Sequence, residues 1–187
     1  AGPKDQGMGT RCGEKDLVPM LKLMGPDFVQ TDCKGHPGMT SWFSKVPAAT
    51  VSPGVVKDAM QQWRTATRKL GMPLHAHYSG VWDKAAGEKH PDWCALDKDG
   101  KLQGATPAAG QEQPKGERMC RLGPYVDELL IPQFMELIAR YGVDGFWVDG
   151  DIWSTEPCYC PRCRKAFAEK TGMAEPPKEE TDPNWLP

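Results

Sequence analysis

Residues 133–153 read QFMELIARYGVDGFWVDGDIW. Together with the preceding residues they place Val126, Leu129, Leu130, Phe134, Leu137, Ile138 and Tyr141 on one face at helical spacing. That spacing predicts a helix over 125–141, kinked by Pro132 and closed by Gly142. Gly145 to Asp149 (GFWVD) then predicts a short strand. Alternation by two sets Trp147, Asp149 and Asp151 on one side of that strand if it stays extended. A helix feeding a short apolar strand is the repeating unit of a parallel α/β sheet, where ligands bind at the carboxyl ends of strands.

The same alternation runs outward in both directions. Leu17, Met20, Leu21 and Met24 predict a helix over 14–24, stopped by Gly25-Pro26, and DFVQTD (27–32) reads as a short buried strand. A Pro/Ser-rich loop leads to Ser52-Pro53, an N-cap and first-turn pair that predicts a helix from there, with the stripe Val55, Val56, Ala59, Met60, Trp63, Ala66 and Leu70. Trp63 falls in the middle of that stripe and reads as core, and LHAHYS (74–79) is the next strand. Residues 83–122 show no sustained periodicity, and a Gly/Ala/Pro/Gln stretch occupies 104–116. A run this long without structure inside a compact domain is expected to be functional. A last amphipathic helix is predicted over 161–171, and 174–187 reads as a loop or linker tail.

Three strands do not close a barrel. The two steps from Phe28 to Gly145 are about twice the ~30 residues of a plain barrel unit, so a small open sheet and part of a longer barrel both fit. The expectation is an α/β fold of (β/α)8 TIM-barrel type, a partial barrel over 1–173 covering about strands 2–4, starting after a first strand and stopping before a fifth.

The chain has 187 residues, 39% of them hydrophobic, and 23 basic against 25 acidic side chains, a net charge of −2. No basic excess exists to neutralise phosphates, so no nucleic-acid partner is expected. No apolar run approaches the ~18 residues that span a bilayer, so no membrane partner is expected either. No signal-peptide core opens the chain, which leaves its location undetermined, with secretion or a periplasmic location open if the native N-terminus lies further upstream. Oligomeric state is equally open. The 20 Gly and 18 Pro imply long loops, and seven Trp are dense for this length.

The chemistry gathers at the three strand ends. They supply Asp32, Lys34 and His36; then His75, His77, Tyr78, Trp82 and Asp83; then Trp147, Asp149, Asp151 and Trp153. Carboxylates beside indole rings suit a carbohydrate, since the acids do acid, base or nucleophile work and flat rings stack on sugar C–H faces. The plainer alternatives are that Trp147 is core, that Asp83 or Asp151 caps a helix, and that His75 or His77 is a satisfied core histidine. His90 reads as a loop residue beside Trp93.

Seven cysteines cannot all pair within one chain. Cys158, Cys160 and Cys163 have the Cys-x-Cys-x-x-Cys spacing that wraps three thiolates around one zinc ion, with Cys120 the best fourth ligand and Cys94 the second choice. Such a four-cysteine site would be closed and structural. Reduced thiols or one disulfide are the alternatives.

Several of these segments resemble known families. DFVQTDCKGHPGMTSWFSK (27–45) resembles the strand-two segment of family 29 α-L-fucosidases, whose motif is Lys-His-His-Asp-Gly. Here it stands as Lys34-Gly35-His36-Pro37-Gly38, so Lys34 and His36 match while Gly and Pro replace the first His and the Asp. LHAHYSGVWD (74–83) resembles the next strand of that family, and 133–153 resembles the segment whose Trp-x-Asp-Gly strand end carries the nucleophile, which implies Asp149. EPCYCPRCRKAF (156–167) resembles the zinc-binding cysteine cluster of family 42 β-galactosidases, with Cys120-Arg-Leu-Gly-Pro-Tyr125 at the earlier ligand position. There the fourth strand ends in Asn-Glu, the Glu being the acid/base, and Gly150-Asp151 aligns with that pair. Including HPDW (90–93), the pattern over about 14–167 is most similar to a group of barrel glycosidases related to both families.

The resemblance implies a retaining glycoside hydrolase for a neutral, fucoside- or galactoside-like sugar. Asp149 would attack the anomeric carbon and Asp151, about 5 Å away, would protonate the leaving oxygen, unless the acid lies on a later strand as in the fucosidases. Lys34, His36, His77 and Tyr78 would bind sugar hydroxyls, and Trp82 and Trp153 would form walls. The competing expectations are a non-catalytic carbohydrate-binding or zinc-stabilised fragment, and a metal-dependent hydrolase using His75, His77 and Asp149.

Overall fold

The computed structural model describes residues 1–104, 116–150, 157–179 and 181–184. Helix α1 (Glu14–Met24) ends where Gly25 takes a left-handed conformation at φ 59° and its N–H bonds to Leu21 O. Of its expected stripe, Leu17 and Leu21 are buried while Met20 and Met24 face outward. Strand β1 (Val29–Lys34) follows, then the two-residue strands β2 (Met39–Thr40) and β3 (Thr50–Val51), which the sequence reading did not anticipate.

The helix expected from Ser52-Pro53 starts later. Ser52 Oγ donates to Gly2 O at 3.0 Å, and the next residues pair with the N-terminal segment, with Val56 N–H on Met8 O at 3.0 Å. The backbone is thereby committed elsewhere, and α2 (Ala59–Lys69) begins only after Asp58, whose carboxylate accepts from Gln61 N–H at 3.0 Å. Trp63 and Leu70 are partly buried against the core. Then come β4 (Leu74–Ser79), α3 (Lys84–Lys89), α4 (Ile131–Tyr141), β5 (Gly145–Asp149) and α5 (Pro161–Thr171). Pro132 sits in the first turn of α4, and the segment before it, Val126–Leu130, is widened into a π-helical turn. A residue without an N–H removes one rung of the helical ladder, and the wider turn absorbs the gap.

The strands form one sheet in the order β3-β2-β1-β4-β5, with β1, β4 and β5 mutually parallel and β2 antiparallel to β1. Asp144 holds two strand starts together: its carboxylate accepts from Leu74 N–H and from Arg64 Nη1, both at 2.8 Å. The principal core packs Leu17, Leu21, Val29, Met60, Leu74, Tyr78, Leu137 and Tyr141 between helices and sheet. No helix described is long and apolar enough to cross a membrane.

The described residues of the stretch after β4, 80–104 and 116–122, are folded, contrary to their aperiodic sequence. Isolated bridges join Trp82 to Arg118 and Cys94 to Met119, and a second core gathers Ala86, Trp93, Cys94, Met119, Tyr125 and Leu129. Its pattern is hidden in the sequence because the pairing partners lie 25 to 36 residues apart rather than at a fixed local period. His90 stacks on Trp93 with ring centroids 3.9 Å apart, as its sequence context suggested.

One irregularity governs the site. β1 pairs with β4 through Asp32↔His77 and Lys34↔Tyr78, so Cys33 is an extra residue and the register shifts across a β-bulge. Beyond the bulge the side-chain alternation is offset, and Asp32 and Lys34 no longer share a face: Asp32 is exposed and Lys34 is wholly buried.

Candidate active site

The carboxyl ends of β1, β4 and β5 bring Asp32, His77 and Asp149 into one row. His77 Nδ1 lies 2.8 Å from Asp32 Oδ1, and His77 Nε2 lies 3.3 Å from Asp149 Oδ2. Burial alone would raise the Asp32 carboxyl, but its hydrogen bond with His77 and the nearby amino group of Ala1 hold it below the usual carboxylate range. Asp149 Oδ1 also accepts from Gly150 N–H at 2.7 Å.

Gly150 adopts φ +91°, and a Cβ there would meet Trp82 Cδ1 at 2.9 Å and His36 Cε1 at 3.2 Å. His36 and Trp82 therefore close over the Asp149–Gly150 turn, their rings 6.3 Å apart. Ser79 fixes this wall. Its hydroxyl donates to Trp82 O at 2.6 Å, so the 2.8 Å contact with His36 Nδ1 is one that His36 donates, leaving Nε2 of His36 free of that bond.

Two residues expected to bind sugar hydroxyls do not reach this surface. Lys34 is fully buried beside the Asp83 carboxylate and also donates to Tyr125 Oη at 3.2 Å and Ser79 O at 3.4 Å. Tyr78 is fully buried under Lys34, whose Nζ lies 4.5 Å from the ring centroid, and its hydroxyl donates to Gln133 Oε1. The bulge is the physical reason for Lys34, and ordinary alternation behind His77 is the reason for Tyr78. Burial first, and the Asp83 charge second, push the Tyr78 and Tyr125 hydroxyls well above the usual phenol range. Asp83 is the helix cap that its context allowed, accepting from Ala86 N–H at 2.8 Å. Trp147 is not core: it is 57% exposed.

Asp151 and Trp153 lie outside the described residues. His75 does not join His77: its ring stacks on Phe28 with centroids 4.9 Å apart, which removes the first ligand of the metal-dependent alternative. The participants missed in the sequence are Ser79, Gly150 and the pairing of Asp32 with His77. Only the strand register, which sets Asp32 opposite His77, could have revealed that pair.

The four expected cysteines do converge. The sulfurs of Cys120, Cys158, Cys160 and Cys163 all lie within 4.8 Å of one another, with Cys120 Sγ 3.6 Å from Cys160 Sγ and 3.4 Å from Cys163 Sγ. A tetrahedral ion bound at about 2.3 Å has sulfur–sulfur edges of about 3.8 Å, so the donors fit a structural metal. Hydrogen bonds from Cys120 and Cys163 draw the Cys158 thiol down toward thiolate, the ligating form. Cys94 stands apart, facing Gly116 O. Among the described residues no other group of three or more His, Cys, Asp or Glu ligand atoms comes together.

A parallel-dominated α/β sheet thus gathers two carboxylates, two imidazoles and an indole at its carboxyl edge. The family described as hypothetical glycosyl hydrolase 6, GHL6, matches residues 13–150, and the chain belongs to that family. In fold it is similar to α-L-fucosidase isoenzyme 2 from Paenibacillus thiaminolyticus, at a TM-score of 0.72 and 20% identity over 91% of this chain and 24% of that one. It is also similar to α-L-fucosidase AlfC from Lactobacillus casei in complex with α-L-fucose product, at a TM-score of 0.50 and 19% identity over 79% of this chain and 46% of that one. The chain thus spans a quarter to a half of the length of these proteins. A partial barrel is compatible with the sheet observed here. No curated protein matches the sequence.

Proposed function

We propose that this chain carries the nucleophile and part of the sugar-binding wall of a retaining glycoside hydrolase for a neutral, fucoside- or galactoside-like substrate. The observation that supports this most is Asp149 at the end of β5, its carboxylate held by Gly150 N–H and facing His77, with His36 and Trp82 across the turn. In this reading Asp149 attacks the anomeric carbon and forms a glycosyl ester that water then cleaves. Asp151 is the in-chain candidate for the acid that protonates the leaving oxygen, the alternative being a carboxylate on a later strand. His36 and His77 bind hydroxyls, and Trp82 and Trp153 stack on the ring. Lys34 and Tyr78 act from beneath, as supports. The four-cysteine site holds a zinc ion with a structural role, tying the segment after β5 to the folded stretch before α4.

The test uses 4-nitrophenyl α-L-fucopyranoside and β-D-galactopyranoside with the parent and Asp149→Gly. Expected is a loss of at least about 10³-fold in kcat for the variant, partly rescued by azide with formation of a glycosyl azide. An Asp149→Gly chain as active as the parent would overturn the assignment.

A further inference from the structure

We infer that Asp32 is a positioning residue that acts on Asp149 through His77, by keeping a hydrogen on His77 Nδ1 and turning Nε2 toward the Asp149 carboxylate. This rests on the reading of Asp149 as the nucleophile and extends it to a residue one strand further away. Asp32 and His77 are register partners on adjacent parallel strands, and Asp149 lies one strand beyond, paired with Ser79. The imidazole therefore bridges three neighbouring strand ends, at 2.8 Å to Asp32 Oδ1 and 3.3 Å to Asp149 Oδ2.

The backbone of His77 is held as well. Its backbone carbonyl accepts from Cys33 Sγ at 2.9 Å, which anchors His77 to the bulge residue itself. A neutral imidazole carries one N–H, and the nitrogen that keeps it is decided by what each side faces. The closer acceptor is Asp32, so Nδ1 keeps the hydrogen, and Nε2, an acceptor in the neutral ring, is the nitrogen placed to take the hydrogen of a protonated Asp149 carboxyl and leave it as the carboxylate. When the ring gains a second hydrogen, both nitrogens donate, one to each carboxylate. Among the described residues the charged groups that face the ring are Asp32 from β1 and Asp149 from β5. The Ala1 amino group lies 3.1 Å from the other oxygen of Asp32, and His75 on the same strand is turned to Phe28. The bulge at Cys33 is what makes this geometry: it separates Asp32 from Lys34, leaving the carboxylate on the open face while the ammonium goes into the core.

Two measurements on the intact chain test this. Side-chain ¹⁵N spectra of the histidines read the position of the His77 hydrogen without any substrate. Expected is Nδ1–H in the parent and its transfer to Nε2 in Asp32→Leu, while Asp32→Asn, whose amide oxygen still accepts, keeps Nδ1–H. With 4-nitrophenyl α-L-fucopyranoside, Asp32→Leu is expected to lose about ten- to a hundredfold in kcat with little change in KM or thermal midpoint, the scale at which orienting partners of a functional imidazole act. Asp32→Asn should recover part of that loss. Nδ1–H persisting in Asp32→Leu overturns the inference, as does unchanged kcat beside an inactive Asp149→Gly. A joint change of KM and thermal midpoint reduces Asp32 to a structural role. Full activity of Asp149→Gly removes the nucleophile reading, and the positioning role with it.

Discussion

Lys34 Nζ lies 2.7 Å from Asp83 Oδ2, and both side chains are 0% exposed. The pair joins β1 to the start of α3, and Tyr125, which also donates to Gly80 O at 2.8 Å, completes the enclosure. Removing two charges from water costs several kcal/mol per ion, so this pair is stable only while both partners and their extra hydrogen bonds are present. Lys34→Met is expected to destabilise the chain by about 3–5 kcal/mol, because Asp83 would stay buried and uncompensated. Lys34→Met combined with Asp83→Asn, which keeps the α3 cap acceptor, should recover much of that loss. Urea unfolding of both variants decides it, and a Lys34→Met chain as stable as the parent would contradict the buried-pair account.

The cysteine cluster predicts one metal ion per chain. Elemental analysis should find zinc at that ratio, and chelation should release it, lower the thermal midpoint and expose four additional thiols to titration. Cys160→Ser, at a buried position, should prevent loading. The loop carrying Cys158 is also held by Gln103 Nε2 on Pro157 O and by Tyr159 N–H on Leu96 O, both at 2.8 Å. Metal removal should therefore loosen the cluster without unfolding the sheet, which hydrogen exchange of β4 can verify. A folded parent with the four cluster thiols reactive and no metal would exclude the site.

Glu136 sets an acid limit to stability. Its carboxylate accepts from Trp42 Nε1 at 2.9 Å, Ser44 Oγ at 2.6 Å, Lys45 N–H at 2.8 Å and Arg140 Nη1 at 2.6 Å. Burial alone would raise its pKa, but these bonds outweigh it and hold the group below the usual carboxylate range. A depressed folded pKa contributes stability that is fully present above the unfolded value of about 4.3 and is lost as pH falls through the folded one. Glu136→Gln should cost roughly 1–3 kcal/mol at neutral pH. Its difference from the parent should narrow as the pH falls below about 4, read by urea titrations at stepped pH. A difference that stays constant with pH would show that the charge contributes nothing.

Local punctuation made several elements legible in the chain itself. The helix over 14–24, the strands over 74–79 and 145–149 and the helix over 161–171 appear at those positions, because glycine stops and short apolar runs act on neighbouring residues. The same locality explains the failures. Ser52-Pro53 carries the signals of a helix start, yet the Ser52 hydroxyl and the backbone of Gly54 and Val56 bond to residues more than forty positions earlier. Residues 83–122 carry no period, yet Ala86, Trp93, Cys94 and Met119 from among them join a second core through pairs that meet only in the folded chain.

The candidate site divides along the same line. By itself the sequence determined that carboxylates, imidazoles and indoles fall at strand ends and that three cysteines, Cys158, Cys160 and Cys163, have metal-ligand spacing, since residue type and short-range period need no partner strand. Only the tertiary structure decided which of these side chains share a surface. Strand alternation counted along β1 sets Lys34 beside Asp32, whereas pairing with β4 inserts Cys33 as a bulge. That bulge sends Lys34 inward to Asp83 and leaves Asp32 facing His77. The physical reason is that a side chain's face is set by the register with a neighbouring strand, and that register is a property of two segments at once.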